Sequence, residues 1–420
     1  MMRILMASDF YPPFIGGAER QVQLLSQELA LRGHAVGVAT VWHAGLPERQ
    51  DDAGVQIWRM KGLATRVPWF SKDPRRRFHP PFPDPAMVWG LLRLVRSWRP
   101  DVVHAHGWIA YSCAAALLGT KLPLVVSVRD YGYTCALRTL LHHGQVCDGP
   151  APRKCLNCAA HSYGLPKSAA AVGGVFAGRA LLMRKIAATH SVSTFVQQTV
   201  RRDLLRSRTR TTKLDRDSIP DIVVPSLLVE SRAAALDRAY IDRLPSEPYI
   251  LFVGALQPHK GLDPLLAAYG RLAAPPPLVL IGSVWPETPK SFPPGVTVLH
   301  NLPHHAVMAA WERCLFGVAP AVWPDPLPGV VREAMSKGKA VIATSVGGNT
   351  DMIRHGATGL LVPPGDVAAL AAAMQQLIGD ASLRQRLGCA GQQSAQQYAA
   401  SAVLPRFEAI YQQLLTRRTQ

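Results

Sequence analysis

The chain has 420 residues, of which 48% are hydrophobic and 18% are charged, so a wholly disordered protein is excluded and there is enough apolar material for two cores. Seven cysteines are too few for a disulfide scaffold of this length, and the glycines and prolines follow no collagen period. The part up to Lys213 contains 29 basic and 12 acidic residues, which places +17 of the net charge of +18 there. This asymmetry predicts that the first half contacts an anionic partner.

Short apolar runs alternate with helical patterns in the first half of the chain. Arg3–Ala7 predicts a buried strand, and a helix is expected from Ala18 to Arg32. Further buried strands are predicted at Ala35–Val41, Asp101–His104 and Leu124–Val128. Because near-continuous apolar strands that alternate with helices are typical of parallel sheets, this half predicts a doubly wound α/β domain.

The second half repeats this alternation after a stretch from Ser207 to Pro248 that is rich in charge and turn residues. We therefore predict two Rossmann-like domains, residues 1–215 and 216–400, followed by a C-terminal helix in residues 401–420. Polar residues at the carboxyl ends of the strands are expected to form the ligand sites. The predicted strands and helices of this half are Tyr249–Val253, Leu262–Leu272, Leu278–Ile281, Val296–Leu299, His304–Arg313, Val330–Lys337 and Ala340–Ala343.

The sequence indicates neither a secretory signal nor a membrane span. The apolar stretch after Met1-Met2-Arg3 soon meets Asp9 and lacks a small-residue cleavage site. The longest uncharged run, Val102–Thr120, contains His104 and His106 and lacks the sustained apolarity of a membrane-spanning helix. We expect a cytoplasmic protein that rests against a membrane without crossing it.

Two features of the first half stand at the carboxyl ends of predicted strands. Gly16 and Gly17 allow close backbone approach, and the helix start behind them offers unpaired N–H groups to an anion such as a diphosphate. His104 and His106 lie at a strand end, where a neutral imidazole can position or polarise a hydroxyl. An ordinary strand–helix turn and histidines that pack in the loop are the alternatives.

The second half carries a lysine and two carboxylates in similar positions. Lys260 follows Gly254 and stands near a helix start, where a cation adds to the helix dipole in holding phosphate. Asp325 lies in a Pro/Gly loop and Glu333 in the helix that follows, and such carboxylates accept paired hydrogen bonds from sugar and ribose hydroxyls. A surface lysine, an aspartate cap and a solvated glutamate are the alternatives.

The same residues belong to motifs in a fixed order: Gly16-Gly17-Ala18-Glu19, His104-Ala105-His106, Val253-Gly254-Ala255-Leu256, Lys260-Gly261, Asp325, Glu333-Ala334-Met335 and Gly347-Gly348. Together they resemble a family 4 glycosyltransferase over residue 3 to about residue 366. The resemblance implies the GT-B fold, in which two Rossmann-like domains face each other across a cleft and a C-terminal helix returns to the first domain. It also implies retaining transfer from a nucleotide-sugar donor without a catalytic metal.

The resemblance further implies a role for each of these residues. Asp325 holds the hydroxyls of the donor sugar, Glu333 holds the ribose, and Lys260 neutralises the departing diphosphate. His106 lies near the reacting sugar, so the expected catalytic residues are His106, Lys260 and Asp325. The expected donor-binding residues are Gly16, Gly17, Gly254, Lys260, Asp325, Leu327, Gly329, Val330 and Glu333.

Two positions depart from the family pattern. Ala255 stands where the family usually has arginine, so one diphosphate contact is missing or supplied elsewhere. The loop Asp325-Pro326-Leu327-Pro328-Gly329 replaces the usual Glu-x-Phe-Gly. The shorter acid predicts a changed sugar specificity, with reduced activity as the alternative.

Four cysteines form a cluster with the spacing C-x11-C-x7-C-x2-C: Cys135, Cys147, Cys155 and Cys158. Four thiolates can form a closed tetrahedral zinc site, so a structural zinc is predicted, with free thiols and disulfides as open alternatives. The glycines and prolines around them indicate a long loop with little structure of its own, near the entrance of the acceptor. The predicted acceptor contacts are Asp130 and His104, with an ordinary loop aspartate as the alternative for Asp130.

Basic residues lie among apolar ones throughout the first half. This combination suits an anionic membrane surface and lipid-diphosphate acceptors, although each cluster alone is typical of a solvated face. Nucleic acid is not an expected partner, because the sequence has no recognised binding motif and no regular array of stacking aromatics. The basic segments are Arg75-Arg76-Arg77, Arg153-Lys154, Lys167, Arg179, Arg184-Lys185 and Arg201-Arg202.

Asp215-Arg216-Asp217 matches the pattern of metal-dependent sugar transferases, but coincidence is favoured because no strand precedes it.

We therefore predict a retaining glycosyltransferase of the hexosyltransferase class, peripheral on the inner face of the membrane. It is expected to move a sugar from a UDP- or GDP-linked donor to a lipid-linked or polysaccharide acceptor in bacterial-type cell-surface glycan synthesis. One alternative is another GT-B enzyme, such as a nucleotide-sugar epimerase. A second is a sugar-nucleotide-binding protein without turnover, for which Ala255 is the reason.

Overall fold

The chain forms two compact units in a computed structural model that describes residues 1–14, 16–63, 66–67, 78–205, 219–228, 240, 242–300 and 302–419. The first unit comprises Met1–Leu227 together with Ala400–Gln420, and the second comprises Leu228–Ala399. The boundary predicted from the sequence lies after residue 215, and the predicted C-terminal segment starts at residue 401.

The first unit is built on an eight-stranded sheet and a small hairpin. Its strands are β1 (Arg3–Ser8), β2 (Ala35–Val41), β3 (Arg49–Asp52), β4 (Val55–Met60), β5 (Val102–His106), β6 (Leu124–Val128), β7 (Leu141–His142), β8 (Gln145–Val146), β9 (Ile186–Ser191) and β10 (Asp221–Val223). The sheet has the order β10-β9-β6-β5-β1-β2-β4-β3, and β7 and β8 form the hairpin. All neighbours in the sheet are parallel except β3 and β4. β5 and β6 are buried along their whole length, as expected for a parallel sheet.

Within the described residues, six helices connect these strands, and the C-terminal helix, Ala400–Thr419, belongs to the same unit. They are α1 (Gly17–Leu31), α2 (Pro85–Trp98), α3 (Ile109–Ala116), α4 (Pro152–Tyr163), α5 (Leu165–Lys185) and α6 (Thr194–Val200), which continues into a π-helical turn at Arg201–Leu205. Local sequence fixes the start of α2, because the side chain of Asp84 accepts hydrogen bonds from the Ala86 and Met87 N–H groups.

The strand order of the first sheet reverses at its centre. From β1 the chain proceeds to β2 on one side, and later returns to β5, which pairs with β1 on the other side. The carboxyl ends of β1 and β5 therefore form the topological switch point, where doubly wound sheets bind ligands. Ser8 pairs with His106 there, so Asp9 and Gly107 are the first residues beyond the paired strands.

The second unit contains a sheet of six parallel strands. They are β11 (Ile250–Val253), β12 (Leu278–Ile281), β13 (Val296–Leu299), β14 (Phe316–Ala319), β15 (Ala340–Thr344) and β16 (Leu360–Val362). The order is β13-β12-β11-β14-β15-β16, so the second switch point lies between β11 and β14. Apolar side chains of β11, β12 and β14 form one buried core with the helices around them, and Leu251, Leu280 and Phe316 are fully buried.

Six helices are described in the second unit, and two of them begin at aspartate caps. They are α7 (Leu262–Tyr269), α8 (His304–Arg313), α9 (Gly329–Ser336), α10 (Asn349–Met352), α11 (Val367–Gly379) and α12 (Ala381–Ala395), with 3₁₀ turns at Pro258–Lys260 and Gln396–Tyr398. Asp366 and Asp380 accept hydrogen bonds from the first turns of α11 and α12, respectively.

The prediction of two doubly wound α/β units is confirmed, and several predicted strands coincide with β2, β6, β12 and β13. No strand was predicted at the positions of β3, β4, β7, β8, β9, β10, β14 and β16, and β3 and β14 illustrate why. β3 reads Arg-Gln-Asp-Asp and therefore lacks the apolar pattern of a buried strand. β14 contains Gly317, over which Trp311 packs: a Cβ at position 317 would lie 2.6 Å from the indole ring.

The expectation of a long loop with little structure around the cysteines is wrong. Helix α4 carries Cys155 and Cys158, and the hairpin of β7 and β8 lies between Cys135 and Cys147. Pro152 occupies the first turn of α4, where its missing N–H is no disadvantage, and Ala159 anchors the helix by burial.

Among the helices in the described residues, none combines the length and apolarity needed to cross a membrane. The uncharged run Val102–Thr120 is divided between β5 and α3. Both the basic segment Arg75-Arg76-Arg77 and the sequence Asp215-Arg216-Asp217 lie outside the described residues.

Candidate active site

The switch point of the first unit is organised around Asp9. Its carboxylate accepts hydrogen bonds from the N–H groups of Trp108, at 3.0 Å, and Ile109, at 2.7 Å, and so holds the start of α3. Gly107 lies against the same carboxylate with a φ of 84°, and a Cβ there would be 2.5 Å from Asp9 Oδ2. Only glycine combines that conformation with that approach, which fixes the turn directly after His106.

The predicted pair Gly16 and Gly17 lies at the start of α1, which has no side-chain cap. The carboxylate of Glu19 lies next to Gly16, where a Cβ would be 2.1 Å from Glu19 Oε2. A larger residue at position 16 must therefore displace Glu19. An acid in the first turn stabilises the positive helix end, so a bound anion would share this end with Glu19. The sequence signal for Glu19 was its position in the first helical turn.

A chain of hydrogen bonds links four buried side chains near this switch point. His104 Nδ1 lies 2.7 Å from the Tyr411 hydroxyl of the C-terminal helix, and His104 Nε2 lies 2.7 Å from Ser127 Oγ. Ser127 Oγ lies 2.6 Å from His190 Nδ1, and His190 Nε2 lies 2.7 Å from the Val224 carbonyl. The predicted acceptor contact His104 thus has both ring nitrogens occupied inside the protein.

The direction of every proton in this chain follows from its last member. The Val224 carbonyl only accepts, so His190 Nε2 carries the hydrogen and His190 Nδ1 accepts from Ser127. Ser127 then accepts from His104 Nε2, and His104 Nδ1 accepts from Tyr411. Burial lowers the pKa of His190 to about 3 and holds the pKa of His104 well below its usual range, so both rings are neutral.

His106 has a different environment from His104, although their ring centroids are 4.3 Å apart. His106 is 4% exposed, and its Nδ1 accepts a hydrogen bond of 3.2 Å from Arg129 Nε. Its Nε2 is buried and has no hydrogen-bond partner among the described residues. Burial, with His104 and Arg129, holds the pKa of His106 well below its usual range. An unsatisfied buried polar atom needs an explanation, and a bound ligand is one.

Asp130 is engaged within its own loop. Its Oδ1 accepts from the Gly132 N–H at 2.8 Å, and its Oδ2 lies 3.7 Å from Arg138 Nη1. Arg138 also donates to Asp9 at 3.0 Å and stacks 4.1 Å from the ring of Trp108. Burial acts to lower the pKa of Arg138, but Asp130 and Asp9 raise it overall, so the guanidinium stays charged. Arg138 was missed by the sequence analysis, because a single loop arginine carries no recognisable pattern.

All four clustered cysteines line one small pocket of about 30 Å³ and are free thiols. Cys155 and Cys158 lie one turn apart on α4, and burial raises the pKa of both thiols. No group of three or more His, Cys, Asp or Glu side chains in the described part of the chain is placed to hold a metal ion. The structure therefore brings the four cysteines together, while the zinc ion stays a prediction.

Close backbone packing builds the switch point of the second unit. A Cβ at Gly282 would lie 1.6 Å from the Gly254 carbonyl oxygen, so the ends of β11 and β12 touch through main chain. Gly261 has a φ of 81°, and a Cβ there would lie 1.8 Å from the Pro320 carbonyl oxygen. Glycine at position 261 therefore allows the turn that carries Lys260 to contact the loop after β14.

This contact joins two of the predicted catalytic residues. Lys260 Nζ lies 2.6 Å from Asp325 Oδ2, and it also lies 4.8 Å from the centre of the Trp323 ring. The side chains of Lys260 and Asp325 are 26% and 11% exposed, so solvent-borne ligands can reach the pair. Burial, together with Lys260, lowers the pKa of the adjacent His259 to about 4, which leaves that ring neutral at pH 7.

A glycine pair fixes the loop that contains Asp325. The Gly348 N–H donates to the Asp325 carbonyl oxygen at 2.8 Å. A Cβ at Gly347 would lie 2.4 Å from the same oxygen, and one at Gly348 would lie 2.2 Å from the Pro326 carbonyl oxygen. Larger residues would push the loop away, so these two glycines set the position of Asp325.

Helix α9 follows this loop and begins at Gly329 without a side-chain cap. Its first N–H groups, including those of Gly329 and Val330, have no partner within the helix and can bind an anion or hydroxyl. Leu327, just before the helix, is 9% exposed. Glu333 lies one turn further, and its Oε1 is 3.0 Å from His304 Nε2. His304 was not predicted, since its contact joins two separate helices.

Two family profiles match this chain. Residues 15–212 match the profile described as Glycosyltransferase Family 4, and residues 237–394 match the one described as Glycosyl transferases group 1. The first match covers most of the first unit, and the second covers most of the second unit.

Curated proteins with similar sequences carry related names. The glycogen synthase of Mycobacterium tuberculosis H37Rv is 26% identical over 421 residues, which cover 93% of this chain and 90% of that protein. The phosphatidyl-myo-inositol mannosyltransferase of Mycobacterium leprae is 29% identical over 45% of this chain and 52% of its own length.

Solved structures with low sequence identity share the fold. Sucrose-phosphate synthase from Thermosynechococcus elongatus superposes with a TM-score of 0.74 at 18% identity, covering 99% of this chain and all of the other. Anabaena HepE in complex with UDP-glucose gives a TM-score of 0.64 at 15% identity, covering 98% of this chain and all of the other. Both similarities show the same two-unit α/β architecture.

Proposed function

Since the chain belongs to the family 4 glycosyltransferases, enzymes of the GT-B fold, we propose that it transfers a sugar, with retention, from a nucleotide-diphosphate donor to a lipid-linked or polysaccharide acceptor. The observation that carries this proposal is the 2.6 Å pair of Lys260 and Asp325 beside the uncapped start of α9. A cation and free helix N–H groups at one switch point suit a diphosphate, whose charge grows as the sugar leaves.

The donor is proposed to lie along the β14–α9 loop. Asp325 accepts hydrogen bonds from sugar hydroxyls, Leu327, Gly329 and Val330 contact the sugar and diphosphate, and Glu333 accepts from the ribose. The Lys260 ammonium shifts from Asp325 toward a phosphate oxygen as that oxygen gains charge. Because Asp325 already holds Lys260 in place, the cation needs little reorganisation when the donor binds.

The first unit is proposed to bind a diphosphate through its own switch point. The open start of α1 at Gly16 and Gly17 offers N–H groups to the diphosphate, and His106 lies at the end of β5 with a free Nε2. Gly254 in the second unit leaves space for the diphosphate at the end of β11. Ala255 offers no positive charge, so Lys260 and the helix starts are proposed to carry the charge stabilisation.

UDP is the proposed nucleotide, with GDP as the competing choice. The support is the UDP-glucose complex of Anabaena HepE, which shares the fold of this chain. The shorter acid at Asp325 favours a sugar other than that of the usual family loop. A thermal-shift panel of UDP-, GDP-, ADP- and TDP-sugars tests this choice, because only a true donor stabilises the folded protein by mass action. Equal shifts with every nucleotide sugar would contradict a defined donor.

The acceptor is proposed to be a lipid-linked or polymeric glycan. The support is the positive charge of the first half, which suits a diphosphate lipid at the inner membrane face, and the names of two relatives, a mannosyltransferase of phosphatidyl-myo-inositol and a glycogen synthase. Transfer of labelled sugar into a lipid extract, compared with transfer into soluble oligosaccharides, separates the two acceptors. Epimerised or free sugar in place of a glycosidic product would favour the epimerase alternative.

We propose that transfer needs no catalytic metal and that the cysteine cluster holds a structural zinc. The four free thiols are the donor set that zinc prefers, although they do not stand in a metal-holding arrangement. Metal analysis of protein purified without added zinc tests the second part: one equivalent supports it, and none with four reactive thiols removes it. Turnover that is unchanged in EDTA supports the first part, whereas loss that Mn²⁺ restores would contradict it.

A further inference from the structure

His106 differs from the other buried histidines of the first unit in one respect. In the described residues its Nε2 is the only histidine nitrogen that is both buried and without a hydrogen-bond partner. By contrast, both ring nitrogens of His104 and of His190 are engaged. The tautomer of His106 is therefore determined at Nδ1, by the contact with Arg129, and its Nε2 is available to a ligand.

The contact with Arg129 determines which nitrogen of His106 carries the hydrogen. A guanidinium group has donors and no acceptor, so His106 Nδ1 must present a lone pair to Arg129 Nε. A neutral ring with a bare Nδ1 carries its hydrogen on Nε2. The unpartnered Nε2 is accordingly a donor, and the ring has no free lone pair with which to take a proton.

Arg129 is itself held in place at the end of β6. Its Nη1 donates to Ser226 Oγ at 2.9 Å, and its Nε donates to His106 at 3.2 Å. Two donors of one planar group thus connect the loop after β10 with the end of β5. Such a fork fixes the guanidinium more tightly than a single contact would.

The charged and titratable groups around His106 come from four strands or from the residues directly after them. His104 on the same strand, His190 on β9 and Arg129 after β6 each disfavour a second proton, and burial adds to this. Asp9 after β1 is the remaining group, and its N–H meets the His106 carbonyl at 3.4 Å. Its carboxylate is directed to the start of α3 and to Arg138.

We infer that Arg129 is a positioning residue that holds His106 as the Nε2–H tautomer, so that the ring donates a hydrogen bond to an oxygen of the bound sugar or diphosphate. The inference rests on the proposed function and adds a constraint to it. His106 acts as a donor and does not serve as a base toward the acceptor hydroxyl. The Nε2–H of His106 therefore selects a ligand atom that accepts a hydrogen bond.

The tautomer is measurable without any substrate. In protein labelled with ¹⁵N-histidine, long-range ¹H–¹⁵N correlations assigned with His106→Gln should show a protonated Nε2 and a bare Nδ1 between pH 6 and pH 8. Arg129→Met removes the donor and should produce a mixture of tautomers, whereas Arg129→Lys retains a donor and should preserve the wild-type pattern. An unchanged pattern in Arg129→Met, or a protonated Nδ1 in the wild type, would overturn the inference.

Ser226→Ala provides a milder change in case Arg129→Met does not fold. It leaves Arg129 and His106 intact but removes the second contact of the guanidinium. A smaller shift toward mixed tautomers is expected, together with an unchanged far-ultraviolet circular dichroism spectrum. A wild-type tautomer pattern in Ser226→Ala would contradict the role assigned to the guanidinium fork.

A double-mutant cycle separates positioning from direct contact. With UDP-glucose as the probe, Arg129→Met should slow UDP release about fivefold to tenfold, the effect of one lost hydrogen bond. In the His106→Gln background it should slow release less than about twofold, because glutamine has no tautomer to fix. Equal losses in both backgrounds would overturn positioning and give Arg129 its own ligand contact. If no nucleotide sugar of the UDP, GDP, ADP and TDP panel is turned over, the proposed function fails, while the spectra still decide the role of Arg129.

Discussion

The two switch points of this protein are built from opposite kinds of chemistry. In the first unit, neutral histidines are buried at the end of β5 and connected through hydroxyl groups to the C-terminal helix. In the second unit, a charged pair of Lys260 and Asp325 stands partly exposed beside an uncapped helix. The first arrangement fixes the direction of hydrogen bonds, and the second places a charged pair within reach of solvent.

We propose that this difference gives the two units of the glycosyltransferase separate tasks. In this proposal, the second unit supplies the preorganised cation and helix dipole that stabilise the charge on a departing diphosphate. A neutral donor such as His106 does little for a full charge but discriminates well between ligand oxygens. The following predictions test whether the tasks are divided in this way.

The largest effect is expected at Lys260. Lys260→Ala should lower kcat roughly 100-fold to 1,000-fold, by analogy with the loss of one preorganised charge-stabilising group, and should weaken UDP binding much less. Lys337→Ala is the matched control, since Lys337 pairs with Glu312 on the surface and should leave both parameters unchanged. Steady-state kinetics with calorimetric titration of UDP measure the two effects. Equal losses in kcat and in affinity would contradict a role in the departure step.

The next effect is expected at Gly261, which lets the Lys260 turn contact the loop after β14. Gly261→Ala places a Cβ 1.8 Å from the Pro320 carbonyl oxygen at a φ of 81°, so it should destabilise the protein by roughly 3 kcal/mol. Gly365→Ala has a similar φ of 77° but open space, and should cost only about 1–2 kcal/mol. Urea unfolding compares the two variants, and equal losses would show that backbone conformation alone decides.

Acid should destabilise the first unit through its neutral histidines. Below pH 6.5 the unfolded chain binds a proton at His104, His106 and His190, while the folded chain does not. Stability therefore falls as pH drops from about 6.5 toward about 3, by up to about 1.4 kcal/mol per histidine for each pH unit.

Urea unfolding at pH 7.5 and pH 5.0 measures this loss. His190→Gln should reduce the proton uptake on unfolding by about one between these values. An unchanged uptake in that variant would mean that His190 is already protonated in the folded protein.

The smallest effect is expected at Glu333. Glu333→Gln should weaken UDP binding about fivefold to tenfold, the effect of one hydrogen bond to a ribose hydroxyl, and should leave kcat nearly unchanged. Glu312→Gln, on the exposed surface, is the control. Calorimetric titration checks both, and an unaltered affinity in Glu333→Gln would remove the proposed ribose contact.

More residues of the second switch point than of the first could be predicted from the sequence. Lys260, Asp325 and Glu333 were identifiable because each lies in a short motif whose spacing specifies the local turn or helix. The 2.6 Å contact between Lys260 and Asp325 then follows from two glycine contacts that the same motifs contain. Short sequence motifs predict the turns and helix starts that they encode, and the second switch point consists mostly of such turns and helix starts.

The first switch point could not be predicted to the same depth. His106 was identifiable from its place at a strand end, but its partner Arg129 comes from a different strand. His104 was expected as an acceptor contact, and only its bond to Tyr411, 307 positions further along the chain, shows that it is occupied. Such contacts depend on tertiary packing, and a single sequence carries no local signal for them.

We propose as the central claim that the uncapped start of α9 at Gly329–Val330 binds the diphosphate of a nucleotide sugar. Hydrogen–deuterium exchange, measured with and without UDP-glucose, tests this directly because the segment reports on its own backbone N–H groups. Slower exchange at Gly329–Val330 is expected when the sugar nucleotide is added. Exchange there that stays unchanged at saturating UDP-glucose would contradict the claim.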